Sequence, residues 1–274
     1  MNRNFGDTIK ALRAQHGLTQ EQLAGRLNVS APAVSKWERG ESFPDVTLMP
    51  ALAAELGVST DKLFGIDQTS ASIHYNKVYD SEDYYWGVEP STMCYDVLRY
   101  LPPTRPLKLL DIGCGEGKDA VFFARCGYIV SAFDLSEAGI EKARSLAEKA
   151  RVTVNTFTAN LLHYRLTENY DILYSSGVFA YIKPDLRAEI MANYKSHVND
   201  GGLAAFQTFV NKPFIPRAPE KTPIYAWKSG ELFTYFHDWY IENCCEYVFD
   251  CNSSGVPHKH AANRMFARNI KEID

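Results

Sequence analysis

At 274 residues the chain is longer than most single hydrophobic cores, which favours one large domain accompanied by a smaller one. Its composition, 46% hydrophobic and 23% charged, is that of a globular protein, and no uncharged apolar run approaches the ~20 residues of a membrane-spanning helix. The net charge of −4 excludes a protein that coats nucleic acid with its whole surface. Residues 1–5 lack the apolar segment of a secretory signal, so we expect a cytoplasmic protein without a membrane partner.

Residues 1–66 are predicted to form a small helical domain, and residues 1–40 carry six basic side chains against three acidic ones. Thr19 and Gln22 stand three apart before an apolar stripe, which predicts a capping box and a helix that begins at Thr19. Asn28, which tolerates a left-handed backbone, marks a sharp turn, and Ser30 can cap the next helix. The pattern predicts two short helices joined at a fixed angle.

The stretch from Leu18 to Gly65 closely resembles the helix-turn-helix domain of the lambda-repressor/Cro-like family. The resemblance implies an all-α five-helix bundle, with its last two helices over Val46–Leu56 and Ser59–Phe64. It also implies a homodimer that places the helix from Ala31 to Arg39 in the major groove of double-stranded DNA. A bundle that only mediates protein contacts is the alternative, because the groove-facing side is poor in long polar side chains. The candidate DNA-binding residues are Gln20, Ser30, Ala31, Pro32, Ser35, Lys36 and Arg39.

Residues 67–73 are polar and without periodicity, which predicts a linker to a second domain over residues 74–274. From residue 106 the chain alternates apolar extended runs with helical runs, and this alternation predicts a parallel sheet covered on both faces. Ligands of such sheets bind at the carboxyl ends of the strands. The glycine-rich turn from Gly113 to Gly117 follows the first of these strands and is expected at that edge.

The stretch LLDIGCGEG (residues 109–117) has the outline of a nucleotide site but departs from the dinucleotide fingerprint. Lys118 stands where the third glycine of G-x-G-x-x-G belongs, and the carboxylate of Asp111 would repel a pyrophosphate. The same carboxylate suits a ligand that carries an ammonium group. The stretch matches the first motif of the class I S-adenosylmethionine-dependent methyltransferases. That resemblance implies an α/β Rossmann-like seven-stranded fold and S-adenosyl-L-methionine as cofactor, with S-adenosyl-L-homocysteine as product.

By this resemblance the glycine turn approaches the methionyl group, and Asp134, at the end of the second strand, binds the ribose hydroxyls. Asn160 stands where the family often has an aspartate that recognises the adenine amino group, and its carbonyl can also accept. The aromatic stretch that ends with Trp86 lies where a lid is common, and aromatic faces attract a sulfonium cation. The candidate cofactor-binding residues are Asp111, Gly113, Gly115, Gly117, Asp134, Leu135, Asn160, Leu161, Ser175, Ser176 and Trp86, with both serines expected to face the methionine side.

The C-terminal part resembles the tellurite-resistance methyltransferases, most closely in IYAWKSGEL (residues 224–232). This subgroup implies acceptors that range over metalloid oxyanions, small thiols and organic molecules. In-line methyl transfer from a sulfonium needs chiefly alignment of the acceptor. His258 and His260, placed just before the last strand, share one face if that segment is extended. They are the candidate catalytic pair, able to hold an oxyanion or take a proton, and an exposed loop pair without function is the alternative.

Three of the six cysteines, Cys244, Cys245 and Cys251, crowd near the C-terminus without a C-x-x-C spacing. Together with His258 and His260 they offer ligands for a soft metal or metalloid. Neighbouring residues of a strand point to opposite faces, however, so Cys244 and Cys245 are not expected to share one ion. Buried, reduced, structural thiols and no metal are the favoured prediction.

The sequence therefore predicts a DNA-binding regulator fused to an active methyltransferase that acts on a small molecule or a tellurite-like or selenite-like oxyanion, in resistance or detoxification. The alternative is a transcription factor whose second domain senses S-adenosylmethionine or a toxic ligand without turnover, because a sensor would keep the same cofactor motif. Methylation of DNA bases is disfavoured, since SSGVFAYI (residues 175–182) replaces the Asn- or Asp-Pro-Pro-aromatic signature after the fourth strand.

Overall fold

A computed structural model describes residues 5–58, 60–64, 70–216, 224–251 and 256–270. The chain divides into two compact units, residues 1–69 and 70–274. Residues 67–69 of the proposed linker lie outside the described residues, and the first helix of the second unit begins at Ser70. In the part of the chain that is described, no helix combines the length and the apolar character needed to cross a bilayer.

The described residues of the first unit form short helices around one core. They are α1 (Phe5–Gln15), α2 (Gln20–Arg26), α3 (Ala31–Glu38), α4 (Met49–Glu55) and α5 (Thr60–Leu63), with a 3-10 turn at Val46–Leu48. Ser59, the predicted start of the last helix, lies outside the described residues. The core combines buried aromatic side chains, at Phe5 and Trp37, with fully buried aliphatic ones, among them Ile9, Leu23, Val34, Leu52 and Leu56.

Two of the three turn features predicted for the first unit, the capping box and the left-handed Asn28, are present, and the side-chain cap by Ser30 is not. Thr19 Oγ1 accepts from the Gln22 N–H at 3.1 Å and Gln22 Oε1 accepts from the Thr19 N–H at 2.8 Å, which completes the capping box. Asn28 adopts a left-handed backbone with φ of 55°. Ser30 occupies the N-cap position of α3, but its hydroxyl makes no cap hydrogen bond. The helix pair is therefore set by the capping box and by Asn28.

The second unit is built on one seven-stranded sheet. Its helices are α6 (Ser70–Tyr79), α7 (Thr92–Tyr100), α8 (Lys118–Cys126), α9 (Glu137–Ala150), α10 (Pro184–Ser196) and α11 (Glu231–Phe236), with a 3-10 turn at Val178–Tyr181. Its strands are β1 (Lys108–Ile112), β2 (Ile129–Asp134), β3 (Val154–Thr158), β4 (Tyr170–Ser176), β5 (Val198–Val210), β6 (Tyr240–Cys251) and β7 (His258–Arg268).

The strands lie in the order β3-β2-β1-β4-β5-β7-β6. β1 to β5 are parallel, whereas β7 is antiparallel to both of its neighbours. Successive residues of a strand face opposite sides: Leu109 packs in one apolar layer with α7 and α8, and Leu110 in another with α10 and α11. Both faces of the sheet are thus buried, and the strand order reverses between β1 and β4, where ligands of such sheets bind.

Two predictions about the C-terminal part are wrong. The histidine pair does not precede the last strand, because His258 is the first residue of β7. Cys244 and Cys245 are exposed and Cys251 is half-buried, so these cysteines are not buried structural thiols. The reason is topological: β6 is the outermost strand of the sheet, and its side chains are only partly covered.

Candidate functional site

The turn between β1 and α8 carries three glycines with positive φ at the carboxyl edge of the sheet. Gly113, Gly115 and Gly117 have φ of 74°, 54° and 85°. A Cβ atom on Gly113 would lie 2.6 Å from Cβ of Val178, and one on Gly117 would lie 2.5 Å from Cβ of Ala143. Only glycine combines this backbone conformation with such close packing. Side chains at these positions would collide with Val178 and Ala143, so the glycines keep the edge where β1 ends free of side chains.

Asp134 ends β2 and is oriented by the same turn. The Gly115 N–H donates to Oδ2 and the Ser136 N–H donates to Oδ1, both at 2.9 Å. Burial raises the pKa of Asp134, and hydrogen bonds from Ser136, Gly115 and Leu135 oppose the rise. Each carboxylate oxygen keeps a further lone pair. The group can therefore accept hydrogen bonds from two neighbouring hydroxyls.

Asp111 is buried beneath the turn, with 1% of its surface exposed. Burial raises the pKa of its carboxyl group well above the usual range, and the nearby charges of Asp119 and Asp134 act in the same direction. A hydrogen bond from the Ala120 N–H ties the group to the first turn of α8. Its Oδ2 has no hydrogen-bond partner among the described residues. A positively charged group near Asp111 would relieve this burial of negative charge.

Asn160, Leu135 and Leu161 lie at the ends of the two neighbouring strands. The Asn160 carbonyl accepts from the Leu162 N–H at 2.9 Å, whereas its buried Nδ2 has no partner in the described part of the chain. Leu135 directly follows β2 and is half-buried, and Leu161 is buried. This edge therefore offers one buried donor between two apolar side chains.

Ser175 and Ser176 end β4 and do not present their side chains in the same way. The Ser175 hydroxyl is fully buried and donates to the Ile112 carbonyl at 3.1 Å, whereas Ser176 is half-buried. Consecutive residues of a strand point to opposite faces. Ser176 is therefore the one of the two whose side chain is accessible.

An aromatic pair covers the glycine turn, and one of its members was missed from the sequence. Tyr79, at the end of α6, is 4% exposed, and its hydroxyl would lie 3.1 Å from a Cβ on Gly115. The Trp86 indole N–H donates to the Tyr79 hydroxyl at 2.8 Å. The Trp86 N–H also donates to Glu116 Oε2 at 3.2 Å, and Lys142 Nζ donates to Glu116 Oε1 at 2.9 Å. The segment after α6 is thus fastened to the turn and to α9.

His258 and His260 share one face at the start of β7, with their Nε2 atoms 2.9 Å apart. Burial and the neighbouring His258 lower the pKa of His260. The His260 ring stacks on Phe209 with ring centroids 4.7 Å apart. The same Phe209 ring also lies near Gly177, the residue that follows β4. A Cβ atom built on Gly177 would be 3.7 Å from Cζ of Phe209. One aromatic ring therefore separates the histidine pair from the end of β4.

The predicted DNA-binding residues gather on α3 and on the start of α2. Ser30, Pro32 and Lys36 are exposed, and Ala31 and Ser35 are half-buried. Arg39 donates to the two Glu41 oxygens at 2.6 and 2.9 Å and also to the Ser35 hydroxyl. The Arg39–Glu41 ion pair is exposed, so separating the two side chains costs little free energy.

Glu38 fixes α3 against the two preceding helices, and sequence patterns gave no sign of it. Its side chain is 2% exposed and accepts from Arg13 at 2.5 and 3.0 Å and from the Gln20 amide at 2.8 Å. Burial alone would raise the pKa of Glu38, but the hydrogen bonds from Arg13 and Gln20 outweigh it, so the pKa is lowered. Gln20, a predicted phosphate ligand, therefore uses one of its two amide donors within the bundle.

Two sequence profiles match the chain: the family described as Tellurite resistance protein TehB over residues 78–263, and the helix-turn-helix family over residues 9–63. A Haemophilus influenzae protein named Probable S-adenosyl-L-methionine-dependent methyltransferase TehB is 29% identical over 196 residues. The match covers 68% of this chain and 66%, just under two thirds, of that relative. HTH-type transcriptional activator BcrR from Enterococcus faecalis is 31% identical over 90 residues, or 31% of this chain and 43% of that protein.

The crystal structure of TehB from Haemophilus influenzae has the same fold as the second unit. It superposes with a TM-score of 0.59 at 24% identity and covers 72% of this chain and 66% of that one. The predicted pairing of a helix-turn-helix domain with such a domain is thus confirmed. Because the tellurite-resistance profile spans more than half of its residues, the chain belongs to the TehB family and carries, behind a helix-turn-helix domain, a class I methyltransferase domain of the S-adenosyl-L-methionine-dependent kind.

Proposed function

We propose that the chain is a DNA-binding regulator that also transfers a methyl group from S-adenosyl-L-methionine to a small molecule or a metalloid oxyanion. Residues 1–66 are the DNA-binding domain and residues 74–274 the methyltransferase domain. The observation that carries the proposal is the edge of the sheet at the glycine turn. The positive-φ glycine turn lies beside a carboxylate oriented by two N–H groups, at Asp134. Asp111 and Asn160, at the same edge, carry buried polar atoms without partners in the described residues.

The residues at this edge fit the chemical groups of the cofactor. The glycine turn lets the backbone approach the methionyl group, and Asp134 suits the ribose hydroxyls. Because the Asn160 carbonyl already accepts from Leu162, its Nδ2 is the atom available to adenine, as a donor to a ring nitrogen. Leu135 and Leu161 flank the base, whereas Trp86 and Ser176 lie on the methionine side.

When bound, the cofactor supplies a methyl group on a sulfonium, so the protein has chiefly to align the acceptor. Tyr79 and Trp86 cover the turn and exclude water from it. His258 and His260 lie on the side of β4 where an acceptor would enter, one aromatic ring away. Burial and the neighbouring His258 lower the pKa of His260, which favours the neutral ring, and the histidine pair can take a proton from the acceptor or hold an oxyanion.

Acceptor-dependent turnover tests this proposal. The full-length protein is incubated with S-adenosyl-L-methionine and tellurite, selenite or a small thiol, and S-adenosyl-L-homocysteine is measured by mass spectrometry. We expect product with at least one of these acceptors, and none with Asp134→Ala. The second candidate function is a transcription factor that senses S-adenosyl-L-methionine without turnover, and the helix-turn-helix domain on the same chain supports it. Tight binding of the cofactor without product from any acceptor would favour this sensor over the enzyme.

The DNA-binding part of the proposal rests on α3. Ser30, Ala31, Pro32, Ser35 and Lys36 face the major groove, and Gln20 and Arg39 contact phosphates. The chain acts as a homodimer in the cytoplasm, on two half-sites about 34 Å apart. Selection of duplexes from a random pool by the full-length protein tests this. Enrichment of a two-fold symmetric site supports it, and enrichment of no sequence would contradict it.

A further inference from the structure

Cys251, His258 and His260 bring three metal-ligating side chains together on one face of the β6–β7 pair. Cys251 is directly opposite His258 in the antiparallel register, and His260 is two residues further along β7, so it projects from the same face. One ligand atom from each residue lies within 4.8 Å of the others, and all three residues are half-buried. Ligands around a tetrahedral zinc ion stand about 3.3–3.6 Å apart. A shared ion would therefore require only small movements of the side chains.

The hydrogen bond at the other nitrogen of His258 prepares that ring to ligate. Its Nδ1 lies 2.7 Å from the Val256 carbonyl oxygen. A carbonyl oxygen only accepts, so Nδ1 carries the proton and Nε2 of the neutral ring presents a lone pair. Metal-bound histidines are commonly oriented by this kind of contact. Nε2 of His258 points at Nε2 of His260, 2.9 Å away, where an ion between the rings would take the place of a shared proton.

The donor set and its surroundings select the kind of ion. The cluster consists of one thiol and two imidazoles, which favour soft or borderline cations over magnesium and calcium. Phe209 stacks on His260, and the centroid of the Phe249 ring lies 5.7 Å from that of the same imidazole, so aromatic side chains line one side of the Cys251–His258–His260 cluster. Phe209 also connects the cluster with the end of β4, beside the glycine turn.

We propose that Cys251, His258 and His260 bind one divalent cation of the zinc class and leave its fourth position for solvent or a small ligand. Binding releases the proton of the Cys251 thiol to the buffer and forms a metal–thiolate bond. This site shares His258 and His260 with the proposed acceptor side, and its binding of a metal ion does not require methyl transfer. It also differs from the prediction from sequence, which favoured no metal.

The test uses full-length protein, freed of any affinity tag and of metal, in the presence of a phosphine reductant. Zn²⁺ is titrated in competition with a chromogenic chelator, and Co²⁺ reports the ligands through its thiolate charge-transfer absorption in the near ultraviolet. We expect one ion per chain and a cobalt spectrum that contains the thiolate band. Failure of the wild-type protein to compete for Zn²⁺ would overturn the proposal.

Variants assign the ligands. Cys251→Ser is expected to lose the thiolate band and to weaken Zn²⁺ binding more than about 100-fold, beyond the usual cost of losing an outer-shell partner. His260→Gln should weaken binding equally, and Cys245→Ser, which changes an exposed cysteine of the same strand, should change neither property. A thiolate band that persists in Cys251→Ser would place the ion elsewhere and refute the assignment. Binding of S-adenosyl-L-homocysteine should remain intact in Cys251→Ser, which shows that the variant is folded and separates this test from that of the proposed function.

Discussion

Gly117→Ala probes whether the glycine turn is shaped by backbone conformation alone or also by the approach of α9. Gly117 has φ of 85°, and a Cβ at this position would lie 2.5 Å from Cβ of Ala143. Gly127, at the other end of the same helix, provides a matched control. Its φ is 103°, but the space beside it is open to 4 Å. Both alanine variants introduce backbone strain, and only the first introduces a collision.

The two costs can be estimated separately. A left-handed backbone costs a residue with a Cβ about 1–2 kcal/mol, which is the whole effect expected for Gly127→Ala. Forcing an extra methyl group into a packed contact adds about 1–3 kcal/mol. Gly117→Ala should therefore lose about 2–5 kcal/mol. With a urea m-value of about 2–3 kcal/mol/M, its midpoint falls by about 1–2 M, against about 0.5 M for the control.

Urea unfolding of the full-length protein, followed by circular dichroism, measures these shifts. The transition that moves to higher urea when S-adenosyl-L-homocysteine is added belongs to the methyltransferase unit, because a ligand stabilises the unit that binds it. Isothermal titration should also show at least about tenfold weaker S-adenosyl-L-homocysteine binding for Gly117→Ala, since its turn must shift, and an unchanged affinity for Gly127→Ala.

Ala143→Gly completes a double-mutant cycle. It removes Cβ of Ala143, the nearest atom to the new methyl group, whereas Cα of the same residue still lies 2.8 Å from it. The collision is therefore partly relieved, and Gly117→Ala and Ala143→Gly should couple favourably by about 1 kcal/mol, although a glycine within α9 costs about 1 kcal/mol by itself. Equal losses for Gly117→Ala and Gly127→Ala, together with no coupling to position 143, would refute the steric reasoning and leave the backbone conformation as the sole cause.

Three further outcomes follow from the same contacts. Glu38→Ala leaves the Arg13 charge unpaired and should destabilise the first unit by about 3–5 kcal/mol in urea unfolding. Because folding lowers the pKa of Glu38, its contribution to stability is complete at neutral pH and is lost as the pH falls through the folded pKa. The stability of the variant should therefore depend less on acid than that of the wild type, and equal dependence would contradict this. In isothermal titration, Asp134→Asn, which keeps one acceptor oxygen, should weaken S-adenosyl-L-homocysteine binding about tenfold, and Asp134→Ala should weaken it at least about 100-fold. Equal losses of affinity in the two variants would argue against a contact with the ribose hydroxyls. Lys36→Ala should reduce affinity for the selected DNA by about 1–3 kcal/mol and relax preference at one base pair in competition binding, while a uniform loss across sequences would assign Lys36 to a phosphate.

The features that sequence predicted well are those specified by neighbours along the chain. The capping box at Thr19 and Gln22 and the left-handed Asn28 depend on residues within one turn, and both are present. The apolar runs LKLLDI (residues 107–112) and YIVSAFD (residues 128–134) agree with β1 and β2 to within one residue, because strands buried on both faces read as continuous hydrophobic segments. The glycine turn was located for the same reason.

The features that sequence missed depend on contacts between distant segments. Tyr79 covers Gly115 from 36 positions earlier, and Glu38 meets Arg13 across 25 positions, so neither belongs to a local pattern. In the sequence, a glycine within the predicted helix α9, at Gly139, was the sign that another segment packs closely against this helix. A Cβ there would lie 3.0 Å from the Tyr79 ring. The sequence also gave no sign that β6 is the outermost strand of the sheet. Cys244 and Cys245 were therefore predicted to be buried, although they are exposed.

The position of the histidine pair bears on whether the cofactor is consumed or only sensed. A sensor needs the proposed cofactor-binding residues, which lie at the ends of β1, β2 and β3. It has no need for polar groups beyond β4. Yet the antiparallel insertion of β7 beside β5 brings His258 and His260 to the carboxyl edge, where Phe209 connects His260 to Gly177. Whether these imidazoles act as bases or hold an ion with an open position, they would supply chemistry on the side proposed for the acceptor. This arrangement favours turnover over sensing.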